Sequence, residues 1–275
     1  MELLVLRLVF PPLTVLAVGW AQHRLGHTRS GQLVGLPLTS GPFLLVLLWA
    51  HGVSAATVAA QGVLAGQLLV TAFVIGYGRL TATRYRPLLA VTVVAIAVLA
   101  LAALTRVWLN QASWTTGLVV IPVALLALAC WPASPAAARP LVPLPALNVP
   151  GLAGRAALTG ALVAALVASA PVLGASLAGV LAALPLVVAV VAPGTHAQVG
   201  GAAARDMLRG TLAVVPGTAA FAVVLALTLS LLTTAASFGL ALVVMALING
   251  LVAHADKFGR VASAGSQVDS VSRTT

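Results

Sequence analysis

Apolar residues fill this chain in runs long enough to cross a membrane, separated by short polar or proline-rich stretches. Runs of about 17 to 25 apolar residues are typical of transmembrane helices, and strands of a membrane barrel would instead alternate polar and apolar positions. The boundaries near 51–54, 174–175 and 230–232 rest only on Gly, Pro or Thr, so eight or ten spans are also compatible. We predict an all-α integral membrane protein of about nine transmembrane helices. The predicted spans are 3–20, 33–50, 55–78, 87–105, 115–132, 156–173, 176–193, 203–229 and 233–253.

Composition excludes a sizeable soluble domain. Of the 275 residues 61% are hydrophobic and 7% are charged, against about 25% charged residues in ordinary globular domains. The net charge of +10 is spread through short loops without a basic arm, so nucleic-acid binding is not expected. Cys130 is the single cysteine, which excludes an intramolecular disulfide and a cysteine zinc cluster. We expect no cofactor and no metal.

The basic residues orient the predicted spans. With nine spans and the N-terminus outside, one side of the membrane carries 12 of the 14 Lys and Arg residues. Because cationic loops are retained in the cytoplasm, we predict a multi-pass protein of the cytoplasmic membrane with a cytoplasmic C-terminus. The twelve residues are Arg24, Arg29, Arg79, Arg84, Arg86, Arg139, Arg155, Arg205, Arg209, Lys257, Arg260 and Arg273.

Two stretches of the chain, 35–66 and 183–210, share landmarks in the same order. These are Leu-Pro-Leu at Pro37 and Pro185, a histidine at His51 and His196, and a final glycine at Gly66 and Gly210. The spacing from Pro to His differs, so this alignment needs a gap. Two interpretations remain: a duplication, or a likeness that alanine-rich composition produces by itself.

A duplication predicts two inverted-topology repeats. If spans 1–4 correspond to spans 6–9, the single connecting span makes the second copy enter from the opposite face, as in many secondary transporters. The predicted organisation is a first membrane repeat at 1–114, a connecting helix and cytoplasmic loop at 115–154, a second repeat at 155–253 and a disordered cytoplasmic tail at 254–275.

The stretches PLTSGPFLLVLL and THAQVGGAAARDMLRG resemble bacterial multi-span proteins related to the small GlpM-type membrane proteins. The resemblance covers about a quarter of the chain and implies a compact helical bundle, without an activity to carry over. This chain has Ala50-His51-Gly52 where that group tends toward an acidic or amide residue before the glycine.

The sharpest candidate site is Thr39, Ser40 and Gly41, between Pro37 and Pro42. Two prolines remove two backbone donors, so an interrupted helix is expected in this span. An interruption at mid-membrane exposes backbone groups and a helix N-terminus that bind a polar or anionic ligand. The alternative is a kinked packing helix whose hydroxyls bond to its own carbonyls.

Other polar side chains have two interpretations each. His51 and His196 either carry a proton or are interfacial loop histidines. Gln61, like Gln67 and Asn249, either lines a cavity or joins helices by hydrogen bonds, which is the commoner use.

A charged group opens predicted span 8. Arg205 and Arg209 lie one helical turn apart and share a face, and Asp206 suits a helix N-terminus. As a functional group they predict a cytoplasmic anion mouth. In the structural interpretation, these residues form the charged first turns of a helix, and their side chains extend to the membrane surface.

The leading functional hypothesis is a membrane transporter for a neutral or anionic small molecule, or an amphiphile, working by alternating access. No Asp or Glu lies at mid-depth in any predicted span, which argues against a proton-coupled exporter of organic cations and against a metal-dependent membrane enzyme; we expect that the protein is not an enzyme. The alternative is a flippase or lipid-handling protein for a lipid-linked precursor, with Arg205 and Arg209 on a phosphate; a membrane enzyme or scaffold subunit comes third. The expected partners are membrane lipid and a small-molecule or lipid substrate, and an oligomer is compatible with the sequence.

Overall fold

The computed structural model describes residues 26–37, 40–81, 87–104, 113–131, 174–184 and 186–272, together with 154 and 157. These ranges contain helices joined by short turns and no strand. The helices are α1 (His27–Gly35), α2 (Ser40–Leu80), α3 (Pro87–Leu104), α4 (Thr116–Ala129), α5 (174–182), α6 (Leu186–Val199), α7 (Gly201–Thr228) and α8 (Thr234–Ser272).

Among the described residues, four stretches are long and apolar enough to cross a membrane: His27–Leu80, Gly174–Val199, Gly201–Thr228 and Thr234–Asp256. Large apolar side chains are exposed along α3, α4 and α8, as expected for helices that face lipid, because soluble proteins rarely expose such continuous apolar surface. The predicted all-helical chain with apolar helices of membrane length is therefore confirmed.

The helix bounds differ from the predicted spans at several places. Predicted spans 3–20 and 156–173 lie outside the described residues, except for 157. The predicted boundary at 51–54 falls on a kink: Gly52 (φ 81°, ψ 179°) is non-helical, and α2 consists of two helical segments on either side of it. Residues 254–272 of the predicted tail continue α8 to Ser272.

Two long helices, α7 and the part of α2 after Gly52, form the centre of the fold. Each has 28 residues, about 42 Å at 1.5 Å per residue, which exceeds the hydrocarbon core of about 30 Å. The end of α2 at Thr81 lies against the start of α7 at Gly201. The two helices are therefore antiparallel.

Each long helix carries a short helix from the other half of the chain, in backbone contact. A methyl group built on Gly31 of α1 would overlap the Met207 carbonyl of α7, and one built on Gly179 of α5 would overlap the Ala59 carbonyl of α2. Glycines permit such close approach between membrane helices. As a result, α1 lies on α7 and α5 lies on α2.

The remaining helices surround this centre. Gly117 of α4 approaches Leu64 of α2 and Val223 of α7, so α4 lies between the two long helices. Helix α8 packs along α7, where the Phe221 and Phe238 rings meet edge to face.

Candidate functional site: a cavity between two helix breaks

Proline sets the first helix break. Leu36, which precedes Pro37, is extended (φ −66°, ψ 154°), the conformation that a following proline imposes by steric clash. Helix α2 then begins at Ser40. Pro42 lies in its first turn, where no intrahelical partner for an N–H is needed. The predicted interruption is thus confirmed, whereas Thr39 lies outside the described residues.

A second break lies at the corresponding Leu-Pro-Leu of the other half. Helix α5 ends at 182 and α6 begins at Leu186, with Leu184 preceding Pro185 as Leu36 precedes Pro37. Pro193 does not interrupt the chain and lies inside α6.

The two breaks line one cavity of about 50 Å³. Its walls come from 34–37 and Ser40 at the first break, from 182–184 and 187–188 at the second, and from Gln67, Val70 and Thr211 of the long helices. Since one water needs about 10–15 Å³ of such volume, the cavity has room for only a few water molecules. The N-termini of α2 and α6 both adjoin it, and each carries partial positive charge.

Three polar side chains at this cavity are shielded from the surroundings: Ser40 is 2% exposed, Gln67 5% and Thr211 0%. None is ionised, so the cavity offers hydrogen-bonding groups and helix dipoles rather than formal charge. That combination suits a neutral polar or a small anionic ligand.

Both helix breaks lie at a depth close to the middle of the two long helices. Gly35, at the end of α1, contacts Val214, and Gly66 contacts Ala183 at the end of α5. Val214 and Gly66 are each the fourteenth residue of a 28-residue helical segment. The cavity therefore lies at the mid-depth of the bundle.

Two hydroxyls of α7 hold α1 at its position. The Thr211 hydroxyl lies 3.1 Å from the Gly31 carbonyl oxygen, and the Thr218 hydroxyl lies 2.9 Å from that of Gly35. Gly35 is the last residue of α1, so its carbonyl has no intrahelical partner of its own. Thr218 supplies the donor that this helix end needs.

One end of the long-helix pair is joined by polar contacts between the two halves. The Tyr77 hydroxyl of α2 and the Nδ1 atom of His196 in α6 are 3.2 Å apart. Nearby, the Arg205 Nε atom donates to the Thr81 hydroxyl over 3.4 Å. We call this end, which also carries Arg79 and Arg209, the basic end.

The predicted anion mouth is not assembled as a single group. Arg209 forms an ion pair with Asp256 of α8, whereas Arg205 contacts Thr81 at the end of α2. Asp206 is half-buried between them on α7. The two arginines therefore serve different neighbouring helices.

Of the other predicted site residues, Gly41 is buried in the first turn of α2 near the Phe221 ring. His51 is exposed one residue before the Gly52 kink, and Gln61 is half-buried on α2; neither lines the cavity. Among the described residues singled out from the sequence, Ser40 lines the cavity, and so does Gln67, one of the residues for which a cavity-lining position was an interpretation.

Sequence reasoning missed Thr211, Thr218 and Tyr77. A threonine or tyrosine inside an apolar run gives no sign of the direction in which its hydroxyl points. The spacing of seven between Thr211 and Thr218, which places both on one helix face, was the available signal.

Among the described residues, four glycines with positive φ recur at two repeated spacings. They are Gly26 (φ 83°), Gly52 (81°), Gly174 (80°) and Gly200 (110°), so the pair in each half is 26 residues apart and the halves are 148 apart. This region of φ favours glycine because it has no Cβ. The histidines do not follow the interval of 148, because His51 and His196 are 145 residues apart. Matching these two histidines is what required a gap in the alignment of 35–66 with 183–210.

The close contacts between helices repeat at the same interval. Gly31 meets the Met207 carbonyl and Gly179 the Ala59 carbonyl; each residue of the second pair is 148 positions from one in the first. The same holds for Gly210 with Thr28 and Gly62 with Ser176. The fully buried Phe73 and Phe221 are also 148 apart.

No group of three or more His, Cys, Asp or Glu side chains that could hold a metal occurs in the described ranges. Comparison of the chain with protein-family models, with curated proteins and with solved structures gave no match.

Proposed function

We propose that the protein is a transporter of the cytoplasmic membrane that carries a small neutral or anionic solute through the cavity between the two helix breaks. The single observation that carries the proposal is that both breaks, one from each half of the chain, line the same buried cavity at mid-depth. Discontinuous helices that meet at the membrane centre are the usual substrate site of secondary transporters.

The proposal includes nine spans in two inverted repeats, with residue i of the first half matched to residue i+148 of the second. Support comes from the glycines of positive φ and from the paired helix contacts, which need no gap at this interval. The antiparallel course of α2 and α7 also fits an inverted relation. The arginines orient the basic end toward the cytoplasm and the N-terminus toward the outside.

The cavity volume argues for an occluded state. About 50 Å³ is far below the 300–1,000 Å³ of ordinary ligand pockets. At the basic end the two halves are joined by the Tyr77–His196 contact, beyond the residues that line the cavity. The residues matched to Tyr77 and His196 at the interval of 148 are Leu225 and Leu48, which lie toward the other end of the bundle and are both buried. Transport then requires opening of one end at a time, by movement of one half against the other.

Alternating access is tested by reactivity of a cysteine in the cavity. In a chain with Cys130→Ser, Gln67→Cys should react slowly with a small membrane-impermeant methanethiosulfonate from either side of the membrane, because each end opens in turn. Thr71→Cys is the matched control: Thr71 is equally buried one turn further along α2 but does not line the cavity. If Gln67→Cys reacts no faster than Thr71→Cys, the transport proposal is wrong.

The same chain tests the orientation. His51 and Gln198 are exposed near opposite ends of the bundle, so His51→Cys should react in intact cells and Gln198→Cys only in inverted vesicles. The reverse pattern would place the basic end outside.

Solute binding gives the second measurement. Formate, acetate, phosphate, glycerol and urea are suitable probes of a small site with hydrogen-bonding groups and helix N-termini. A solute that fits should raise the melting temperature of the purified protein, and Ser40→Val should remove that rise, because a buried donor and acceptor is replaced by an apolar side chain. A rise that is unchanged in Ser40→Val would exclude the cavity as the binding site.

A further inference from the structure

A second and much larger cavity lies beside the first, between α1, α7 and α8. Its volume is about 440 Å³, within the range of ordinary ligand sites. Arg29 and Gly250, at its walls, are exposed, and the apolar stretch of α8 that borders it is only 11% buried. We call this cavity the lateral groove, because it opens on the lipid-facing side of α8.

The lateral groove carries polar groups at two depths. Arg29 lies near the basic end, since the neighbouring Thr28 contacts Gly210, one residue after Arg209. Asn249 lies seven residues before Asp256, which pairs with Arg209, and so is about 10 Å deeper at 1.5 Å per residue. The groove therefore leads from a guanidinium on the side of the basic end to an amide near the mid-depth of the bundle.

Asn249 is the less usual of the two groups. Its side-chain oxygen is buried and has no hydrogen-bond partner within the described part of the chain. Leaving such an acceptor unsatisfied costs free energy. The oxygen lies against Gly217 of α7, so a rotation of the amide toward the groove is needed before a ligand's hydroxyl or amide hydrogen can donate to it.

The lateral groove also reaches the central cavity. Leu36, the extended residue at the first helix break, is a wall of both cavities. The two cavities are therefore adjacent at this side chain, which lies between the groove and the candidate site.

The matched positions in the other half lack this chemistry. At an interval of 148 the counterparts of Arg29, Gln32 and Asn249 are Leu177, Val180 and Leu101. The glycine framework is repeated, but the polar lining is present on one side alone. Packing of the repeat does not require these polar residues.

We propose that the lateral groove binds a single-chain amphiphile with an anionic headgroup, which enters from the leaflet at the basic end and passes Leu36 toward the central cavity. The Arg29 guanidinium binds the headgroup, the Asn249 amide rotates away from Gly217 and accepts a hydrogen bond from the linking region, and the apolar walls hold the chain. The inference rests on the proposed function and names the substrate class for it.

Two glycines of α8 provide a matched pair for the test. A Cβ atom at Gly250 or at Gly239 would meet no neighbouring atom within 4 Å, so Phe fits at either position without strain. Gly250 lines the groove and Gly239 does not. Gly250→Phe fills the groove, and Gly239→Phe changes the same helix elsewhere.

Binding is measured by native mass spectrometry of the full chain with three probes: monooleoyl glycerol phosphate, monooleoyl glycerol and free glycerol phosphate. The wild type and Gly239→Phe should bind the first probe with equal Kd, and Gly250→Phe should weaken it at least tenfold. Arg29→Gln should weaken the phosphate-bearing lipid several-fold and leave monooleoyl glycerol unchanged. Free glycerol phosphate should not bind.

Equal binding by Gly250→Phe and Gly239→Phe would overturn the inference, and so would equal affinity for free glycerol phosphate, which indicates a site for soluble anions. Failure here is distinguishable from failure of the transport proposal. If the lipid binds but Gln67→Cys never reacts, lipid binding in the lateral groove is supported and alternating access is excluded. If Gln67→Cys reacts but no lipid binds, transport stands with a water-soluble substrate.

Discussion

Replacement of Gly210 by Ala tests the close packing of α1 on α7. A Cβ atom at this position would overlap the Thr28 carbonyl oxygen and crowd the Gln32 nitrogen. Both atoms belong to the backbone of α1, so no side-chain rotation relieves the overlap. The whole of α1 must move away from α7, and the helix break that it carries must move with it.

The cost follows from three contributions. Overpacking of a tight contact costs about 1–3 kcal/mol, and Ala offsets about 1 kcal/mol of this through its higher helix propensity. Displacement of α1 also lengthens the hydrogen bonds from Thr211 and Thr218, about 0.6 kcal/mol each in membrane proteins. We therefore expect Gly210→Ala to lower the free energy of unfolding by about 2 kcal/mol.

The matched glycine should respond less. Gly62→Ala makes the corresponding overlap with Ser176, but Val63 and Val70 stand where α7 has its two threonines. No threonine hydroxyl bond to the displaced helix is lost, so we expect a decrease of about 1 kcal/mol, which is the cost of overpacking minus the gain from the higher helix propensity of Ala. A difference between the two variants thus measures the hydroxyl bonds.

The assay is reversible unfolding of the purified protein in mixed micelles, followed by circular dichroism as SDS is added. Gly239→Ala is the control, because its Cβ has open space and it should stabilise the protein by up to about 1 kcal/mol. If Gly210→Ala stabilises as much as Gly239→Ala does, the backbone contact between α1 and α7 does not exist and the placement of the first break is wrong.

Two further variants test single hydrogen bonds. Thr218→Val keeps the side-chain shape and leaves the Gly35 carbonyl without its donor, which should lower the free energy of unfolding by about 0.5–1.5 kcal/mol in the same assay; an unchanged midpoint would exclude this bond. Tyr77→Phe removes the contact with His196, and a loss of about 1 kcal/mol at the basic end should raise the rate at which Gln67→Cys reacts from that side about fivefold. An equal rise from both sides would indicate general loosening instead of opening at the basic end.

The first helix break was predictable because proline acts locally. The missing N–H of Pro37 and its clash with Leu36 are properties of two adjacent residues, and they need no knowledge of the rest of the fold. The same local argument applies to Leu184, which precedes the second proline. All-helical structure followed equally well from the length of the apolar runs.

The partners across helices were not predictable in this way. Thr211 contacts α1 only because Gly31 and Gly210 let the two backbones approach, which fixes the rotation of α7 about its axis. In a chain with 25 glycines, no single glycine reveals whether it packs a helix or permits a positive φ. The histidines attracted attention through their chemistry, whereas Gly52 and Gly200 mark the kinks.

A repeated framework with unequal polar lining has a physical consequence for the proposed cycle. If the two halves have equivalent backbones, the state open to one side of the membrane and the state open to the other side have similar free energies, apart from side-chain differences. The groups that differ between the halves then set the balance: two hydroxyl bonds hold α1 to α7, and Val63 and Val70 leave α5 without them.

The half without the two threonines is the one we expect to move. Val63 and Val70 of α2 offer α5 no hydroxyl, whereas the Thr218 hydroxyl of α7 donates to α1. Since each bond contributes on the order of 1 kcal/mol, separation of α5 from α2 requires less free energy than separation of α1 from α7. Opening of the cavity should therefore begin at the second break, and Val70→Thr, which adds the missing hydroxyl near α5, should slow the reaction of Gln67→Cys. An unchanged rate in that variant would mean that the hydroxyl bonds do not control the movement.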